Sequence, residues 1–200
     1  MFYNNINPNL YASGLVFNCK NFVSESFVQR VETYIEKQEL EIAKLQSNAS
    51  ATTPSHDLSI RDSEIHWMDD EEAIPLYDDL TPMLRGVNGS KWDWVIDSWE
   101  SFQYSEYNES YNGHYDWHID YALKEPGQPL SRKLSFSLGI SNKDDYEGGQ
   151  LITKVNREEP SYKLDRGEII IFPSWMLHKV THVTRGLRKV IVGWGRGPVI

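Results

Sequence analysis

The second half of the chain sets the strongest limit on what it can fold into. Seven short runs between residues 92 and 195 are rich in β-branched and aromatic residues and separated by Gly, Pro, Asn and Asp. They read WDWVIDSWESFQYSEY (92–107), NGHYDWHIDYA (112–122), RKLSFSLGIS (132–141), GQLITKV (149–155), EIIIFPSW (168–175), HKVTHV (178–183) and RKVIVGWG (188–195). Runs of this kind, bounded by turn residues, predict strands, and so many in such a short span predict a sandwich or barrel of jelly-roll type.

The first half has a different period. From Ser24 to Gln46 the apolar residues Phe27, Val28, Val31, Ile35, Ile42 and Leu45 fall near one stripe, which predicts an amphipathic helix with Ser24 as N-cap. Residues 47–57, SNASATTPSHD, read as an exposed loop. A second, shorter helix is predicted within 69–86, punctuated by Pro75 and Pro82 and stopped by Gly86. The expected fold is mainly β with flanking N-terminal helices. It is one domain over 1–200, with a helical support region (1–91) and a jelly-roll core (92–198).

Composition excludes several function classes. A formal net charge of −9 opposes general nucleic-acid binding and attraction to anionic membranes, both of which need a positive field. The single cysteine, Cys19, cannot form an intrachain disulfide and fits a reducing compartment. The opening MFYNNINPNLYASGL lacks the basic start and apolar run of a signal peptide, and no stretch approaches the roughly 20 apolar residues of a membrane span. A cytoplasmic protein with no nucleic-acid or membrane partner is expected.

Within NGHYDWHID, His-x-Asp occurs twice, at His114–Asp116 and His118–Asp120. In a regular strand Tyr115, Trp117, Ile119 and Tyr121 share one face, and His114, Asp116, His118 and Asp120 the other. Asp is depleted in strands, so this row is either a metal site or an unusual solvated face. A His and a carboxylate two residues apart can join a second His to form a 2-His-1-carboxylate facial triad, which leaves iron positions open. Of the six histidines, His56 sits in the loop and His66 on an expected surface turn. His178 opens a strand, and Arg188 follows ten residues later, beyond a TRGL turn, on what should be the next strand. Arg188 alternates with Val190, Val192 and Trp194, and a cation on such an apolar face needs an anionic partner, naturally a carboxylate.

HYDWHID, LSFSLGIS, DDYEGGQL and GEIIIFPSWMLHKVTHVTRGLRKVIVGW together resemble the iron(II)/2-oxoglutarate dioxygenases of the prolyl 4-hydroxylase-like family, over roughly residues 92–198. The resemblance implies a double-stranded β-helix, cupin-like core. It implies His118, Asp120 and His178 as iron ligands, because an aromatic residue, here Tyr115, precedes the first ligand by three. It implies Arg188 as partner of the far carboxylate of 2-oxoglutarate, with Tyr107, or in reserve Tyr104, also touching this cosubstrate. Ser135 or Ser137 is a further guess for the same pocket, and His182 is expected not to be a ligand. The implied reaction uses Fe(II), 2-oxoglutarate and O2, with ascorbate in support. It hydroxylates a C–H bond, most simply of a prolyl residue in a peptide or protein, and releases succinate and CO2. His114 and Asp116, sharing a face with His118, are expected toward the substrate channel.

Other readings remain. The same chemistry could act on a free amino acid or small metabolite, or the chain could be a metal-binding jelly roll without catalysis. A dinuclear hydrolase using both His-x-Asp pairs would leave Arg188 without a role. Nucleic-acid demethylating relatives carry a second arginine where this chain has Trp194.

Overall fold

Two antiparallel sheets, of nine and five strands, form the body of the protein. The computed structural model describes residues 14–43, 57–121 and 130–198. Strands β1 (Phe17–Cys19), β2 (Glu41–Ile42), β3 (Arg61–Asp62) and β4 (Glu64–Met68) come from the first half. β5 (Ser98–Trp99), β6 (Phe102–Asn108), β7 (His114–His118), β8 (Leu130–Gly139), β9 (Tyr146–Gly148) and β10 (Leu151–Lys154) follow. β11 (Ser161–Tyr162), β12 (Ile169–Pro173), β13 (Leu177–Val180) and β14 (Val183–Pro198) complete the set. The large sheet runs β1-β12-β8-β14-β6-β4-β2, with β5 and β9 also on β14, and the small sheet runs β11-β10-β13-β7-β3. This is the expected jelly-roll-like arrangement.

Alternation along the central strands separates core from cavity. Phe136 and Leu138, Ile169 and Ile171, and Phe102 and Tyr104 face the helices, where they join the buried side chains of α1 (Glu25–Ile35) and α2 (Ile74–Lys91). The intervening residues face the small sheet, where Tyr107, Ile170, Phe172 and Val190 pack with Leu151 and Val180. Each large apolar side chain so buried contributes about 1.5–3 kcal/mol. Arg166 ties α1 to the large sheet, donating to Glu25, to Glu32 and to the Ile140 carbonyl.

Several boundaries differ from the sequence reading. α1 begins as expected, with Ser24 Oγ accepting from the Phe27 N–H, but it ends at Ile35. Beyond that point the buried stripe of Phe27, Val28, Val31 and Tyr34 has no continuation, since Ile42 is exposed. Residues 41–42 instead pair with the edge of β4. α2 runs on past Gly86 to Lys91, because Leu84 and Asn88 continue its buried face. In the 92–107 run only 98–99 and 102–107 are strand; ahead of them Asp93 takes a positive φ, and Trp92, Trp94 and Ile96 pack against the helical core. His66 lies on β4 rather than on a turn, and its ring contacts Tyr34. The TRGL segment is not a turn. β14 passes straight through it, kinked where Gly186 adopts φ +75°, pairing first with β9 and then with β6 and β8. His56 and residues 47–56 lie outside the described residues.

Candidate metal centre

β7 and β13 are neighbours in the small sheet, and their register sets His118 directly opposite His178. Asp120 lies just past the end of β7, where the backbone N–H groups of Asp120 and Tyr121 both donate to the Ser174 carbonyl, at 2.9 and 2.8 Å. Three ligand atoms, one from each of His118, Asp120 and His178, lie within 4.8 Å of one another. Nε2 of His118 is 3.7 Å from Oδ1 of Asp120, and Nε2 of His178 is 3.5 Å from Oδ2. Two cis ligands on one ion, each about 2.1 Å from it, would be roughly 3 Å apart, so a small inward movement suffices to close on a metal.

The protonation pattern suits that purpose. Nδ1 of His118 lies 2.7 Å from the Asp116 carbonyl, and Nδ1 of His178 lies 2.8 Å from the Met176 carbonyl. A carbonyl only accepts, so each Nδ1 carries a proton, which leaves Nε2 as the atom each ring would offer to a metal. Burial, then the neighbouring His178, pushes the His118 pKa down to about 3, keeping the ring neutral. Burial alone would raise Asp120. The His178 and His118 rings, the Arg132 guanidinium and the Ser135 hydroxyl outweigh it and bring the carboxyl down to about 2. Two neutral imidazoles and a carboxylate are the donor set of a divalent transition metal.

The cavity around these three residues is lined by Arg61, Gln103, Tyr107, Ser137, Arg188 and Trp194, among others. Arg188 is 2% exposed, and its Nε and Nη1 have no hydrogen-bond partner. Its guanidinium lies over the Tyr107 ring at 5.0 Å. No salt bridge reaches it among the described residues, so it is a buried cation presented to the cavity without a counter-ion. Donors of this kind fit the carboxylate of a bound acid. Gly149 makes room for the arginine: at φ +60°, a Cβ there would meet Arg188 Cδ at 2.8 Å and Val183 Cγ2 at 3.0 Å. Gly149→Ala is therefore expected to cost about 1–3 kcal/mol of stability and to displace Arg188, which denaturant unfolding and 2-oxoglutarate titration would register together.

Other residues singled out in the sequence fall as follows. Ser137 lines the cavity, whereas Ser135 sits behind Asp120 and bonds to Ser174 at 2.9 Å. Tyr104 points to the opposite side of the sheet, where its hydroxyl donates to Glu106. The strict alternation expected for NGHYDWHID does not hold. The register shifts between the His118↔His178 and Tyr115↔Val180 pairs, so Tyr115 and His118 both face the cavity with ring centroids 3.5 Å apart. His114 and Asp116 consequently do not line it. The His114 ring lies 4.1 Å from that of His182, tilted by 37°, and the exposed Asp116 turns back to accept from the Trp117 N–H. His182 itself stays apart from the three converging donors, with Nδ1 beside the Asn112 carbonyl.

Arg61 and Gln103 escaped the sequence reading. Asp62, adjacent to Arg61, looks like its natural partner, and only the pairing of Arg61 with Tyr115 on β7 carries the guanidinium into the cavity. Gln103 carries a weaker signal, a buried amide between the aromatic residues Phe102 and Tyr104. No helix among the described residues is long and apolar enough to cross a membrane.

The sequence profile described as the 2OG-Fe(II) oxygenase superfamily matches residues 102–196, a stretch that contains all three converging ligands and Arg188. A PKHD-type hydroxylase of Prochlorococcus marinus (strain MIT 9515) is 46% identical over 83 residues, which is 42% of this chain and 36% of that protein. A PKHD-type hydroxylase of Crocosphaera subtropica is 40% identical over 94 residues, 47% of this chain and 41% of the relative. The matched stretch thus spans well under half the length of these curated relatives. Among solved structures, a Pseudomonas putida prolyl-4-hydroxylase superposes with a TM-score of 0.70 at 19% identity, covering 96% of this chain and 97% of that one. A Trichoplax adhaerens prolyl hydroxylase in complex with a peptide fragment of the hypoxia-inducible factor oxygen degradation domain gives a TM-score of 0.68 at 19% identity, covering 94% and 86%. At these identities the superpositions establish a shared fold.

Proposed function

We propose that the chain is a member of the 2OG-Fe(II) oxygenase superfamily, whose profile matches residues 102–196, and that it is a 2-oxoglutarate-dependent hydroxylase acting on a prolyl residue of a peptide or protein. The observation that carries this reading is the convergence of His118, Asp120 and His178 in one cavity with a buried arginine that lacks a counter-ion. The prolyl substrate is supported by the fold shared with prolyl hydroxylases, one of them in complex with a peptide.

Mechanism follows from what each side chain can do. Nε2 of His118, Nε2 of His178 and a carboxylate oxygen of Asp120 would hold Fe(II) on one face. Bound there with 2-oxoglutarate and O2, the metal supplies an oxidant that converts a substrate C–H to C–OH while the cosubstrate leaves as succinate and CO2. Arg188 would take the far carboxylate of 2-oxoglutarate in charge-assisted bonds, with the Tyr107 ring fixing the plane of the guanidinium. The Ser174 carbonyl holds the Asp120 backbone and the Ser135 hydroxyl lies beside the carboxylate, so the residue is positioned before metal arrives. Tyr115, Phe172, Val192 and Trp194 give the cavity apolar walls that exclude water from the reacting carbon.

The direct test is succinate formation from 2-oxoglutarate by the purified chain with Fe(II), ascorbate and proline-containing peptides, with mass spectrometry of the peptide. Succinate and peptide carrying one added oxygen should appear in equal amounts, vanish with a chelator and return with Fe(II). Absence of succinate under every aerobic condition, with 2-oxoglutarate unable to bind the iron-loaded chain, would overturn the assignment.

A further inference from the structure

Arg61 is a second buried cation in the same cavity, and its setting differs from that of Arg188. It is 9% exposed and held by neutral groups alone: Nε donates to Ser63 Oγ at 3.0 Å and Nη2 to Gln103 Oε1 at 2.8 Å. Its guanidinium lies 4.7 Å from the centroid of the Tyr115 ring, which itself stacks on His118. The stack fixes the guanidinium one ring away from a metal ligand. No carboxylate among the described residues bonds to it, although leaving the charge of a buried arginine unmatched costs stability.

Gln103 adds to the same demand. Its Oε1 is occupied by Arg61 and by the Ser105 hydroxyl at 3.3 Å, which turns its NH2 group out as a donor. Arg61 and Gln103 together therefore present donors and no free acceptor to the cavity. The charges give the same sign. The charged lining residues are Arg61, Arg188 and Asp120, since imidazoles that ligate a metal through Nε2 bind it as neutral rings. Divalent iron and the 2-oxoglutarate dianion cancel, Asp120 offsets one arginine, and one positive charge is left facing the space where substrate must enter. A neutral substrate would leave that charge unmatched.

We infer that Arg61, with Gln103, is a specificity-determining site that binds a carboxylate of the substrate beside the carbon to be hydroxylated. This deepens the proposed function and rests on it. The hydroxylated residue is then one with an acid group close by: a free imino or amino acid, the C-terminal residue of a peptide, or a residue next to an acidic side chain.

The test compares acids with their neutral counterparts on the iron-loaded chain. The pairs are L-proline and L-prolinamide, a peptide ending in proline with a free or amidated terminus, and an internal Pro-Glu peptide with its Pro-Gln equivalent. Binding is read by ligand-observed NMR and turnover by coupled succinate formation. At least one acid should exceed its neutral partner about tenfold or more in kcat/KM, and the pair that does so identifies the source of the carboxylate. Arg61→Gln should remove that preference by raising KM for the acid alone, and Arg61→Lys should restore part of it. Equal handling of every pair overturns the inference, as does a preference that survives Arg61→Gln. A chain that binds 2-oxoglutarate but no carboxylate substrate also overturns it. A chain that binds no 2-oxoglutarate fails the proposed function instead. The wild-type comparison needs no variant, so a misfolded Arg61→Gln leaves it decisive.

Discussion

Arg188→Met is expected to raise the melting temperature of the ligand-free protein while weakening 2-oxoglutarate binding about 100-fold or more. The two effects have one origin. Arg188 is among the most buried side chains of the protein, yet its Nε and Nη1 bond to nothing. A buried charge without a counter-ion costs stability, and an apolar residue of similar length relieves that cost while keeping the packing on Tyr107. A relief of about 1–3 kcal/mol corresponds to a rise of several degrees for a chain of this size. With 2-oxoglutarate the order should reverse, because each charge-assisted bond to the ligand contributes about 1.5–3 kcal/mol and two or more are lost. Calorimetry with and without 2-oxoglutarate reads both arms. A ligand-free variant less stable than wild type would mean that Arg188 already has a partner, and unchanged 2-oxoglutarate affinity would remove its proposed role.

His178→Ala should abolish stoichiometric metal binding and with it all coupled turnover. The variant retains a bidentate remnant of His118 and Asp120. Loss of outer-shell partners alone typically costs 10–100-fold in metal affinity, so loss of a ligand should exceed about 100-fold. Mass spectrometric metal analysis should find one iron per wild-type chain and none above background in the variant. His182→Ala supplies the control, since His182 stands apart from the converging donors and its removal should leave the metal content intact. Two metal ions per wild-type chain would revive a dinuclear reading that uses His114 and Asp116, and metal retained in His178→Ala would dismiss the proposed ligand set.

The parts of the fold that the sequence disclosed are those governed by a period. Alternation of Leu134, Phe136 and Leu138 against Ser135 and Ser137, and of Val190 and Val192 against Ile191, carries over directly into the two faces of the large sheet. Periodicity alone leaves His114 and Asp116 as eligible as His118 and Asp120; it is the resemblance to the dioxygenase family that singles out His118, Asp120, His178 and Arg188 together. What the sequence hid depends on register and on bends. A shift of register beside Val180 brings Tyr115 to the same side as His118, and no periodic argument could supply it. The same shift removes Asp116 from the cavity. The positive φ at Gly186 lets one strand continue where the letters TRGL suggest a hairpin. Arg61 was hidden for a third reason: its strand is two residues long, too short to show any pattern, and its importance comes wholly from the neighbour it is paired with.

The continuity of β14 also bears on the order in which the protein is made. A chain emerging N-terminus first presents His118, Asp120 and His178 before residues 183–198 follow. Until then the large sheet lacks the strand that joins β8 to β6, and the cavity lacks Arg188 and Trp194. Contacts so distant in sequence form slowly. Synthesis therefore places a delay between the appearance of the metal ligands and the completion of the chamber around them. A nascent chain that stops short of β14 would present the three converging donors without Arg188, so the proposed 2-oxoglutarate site would be complete only once β14 is added. The converging donors are thus synthesised before the residues of β14 that wall the cavity around them.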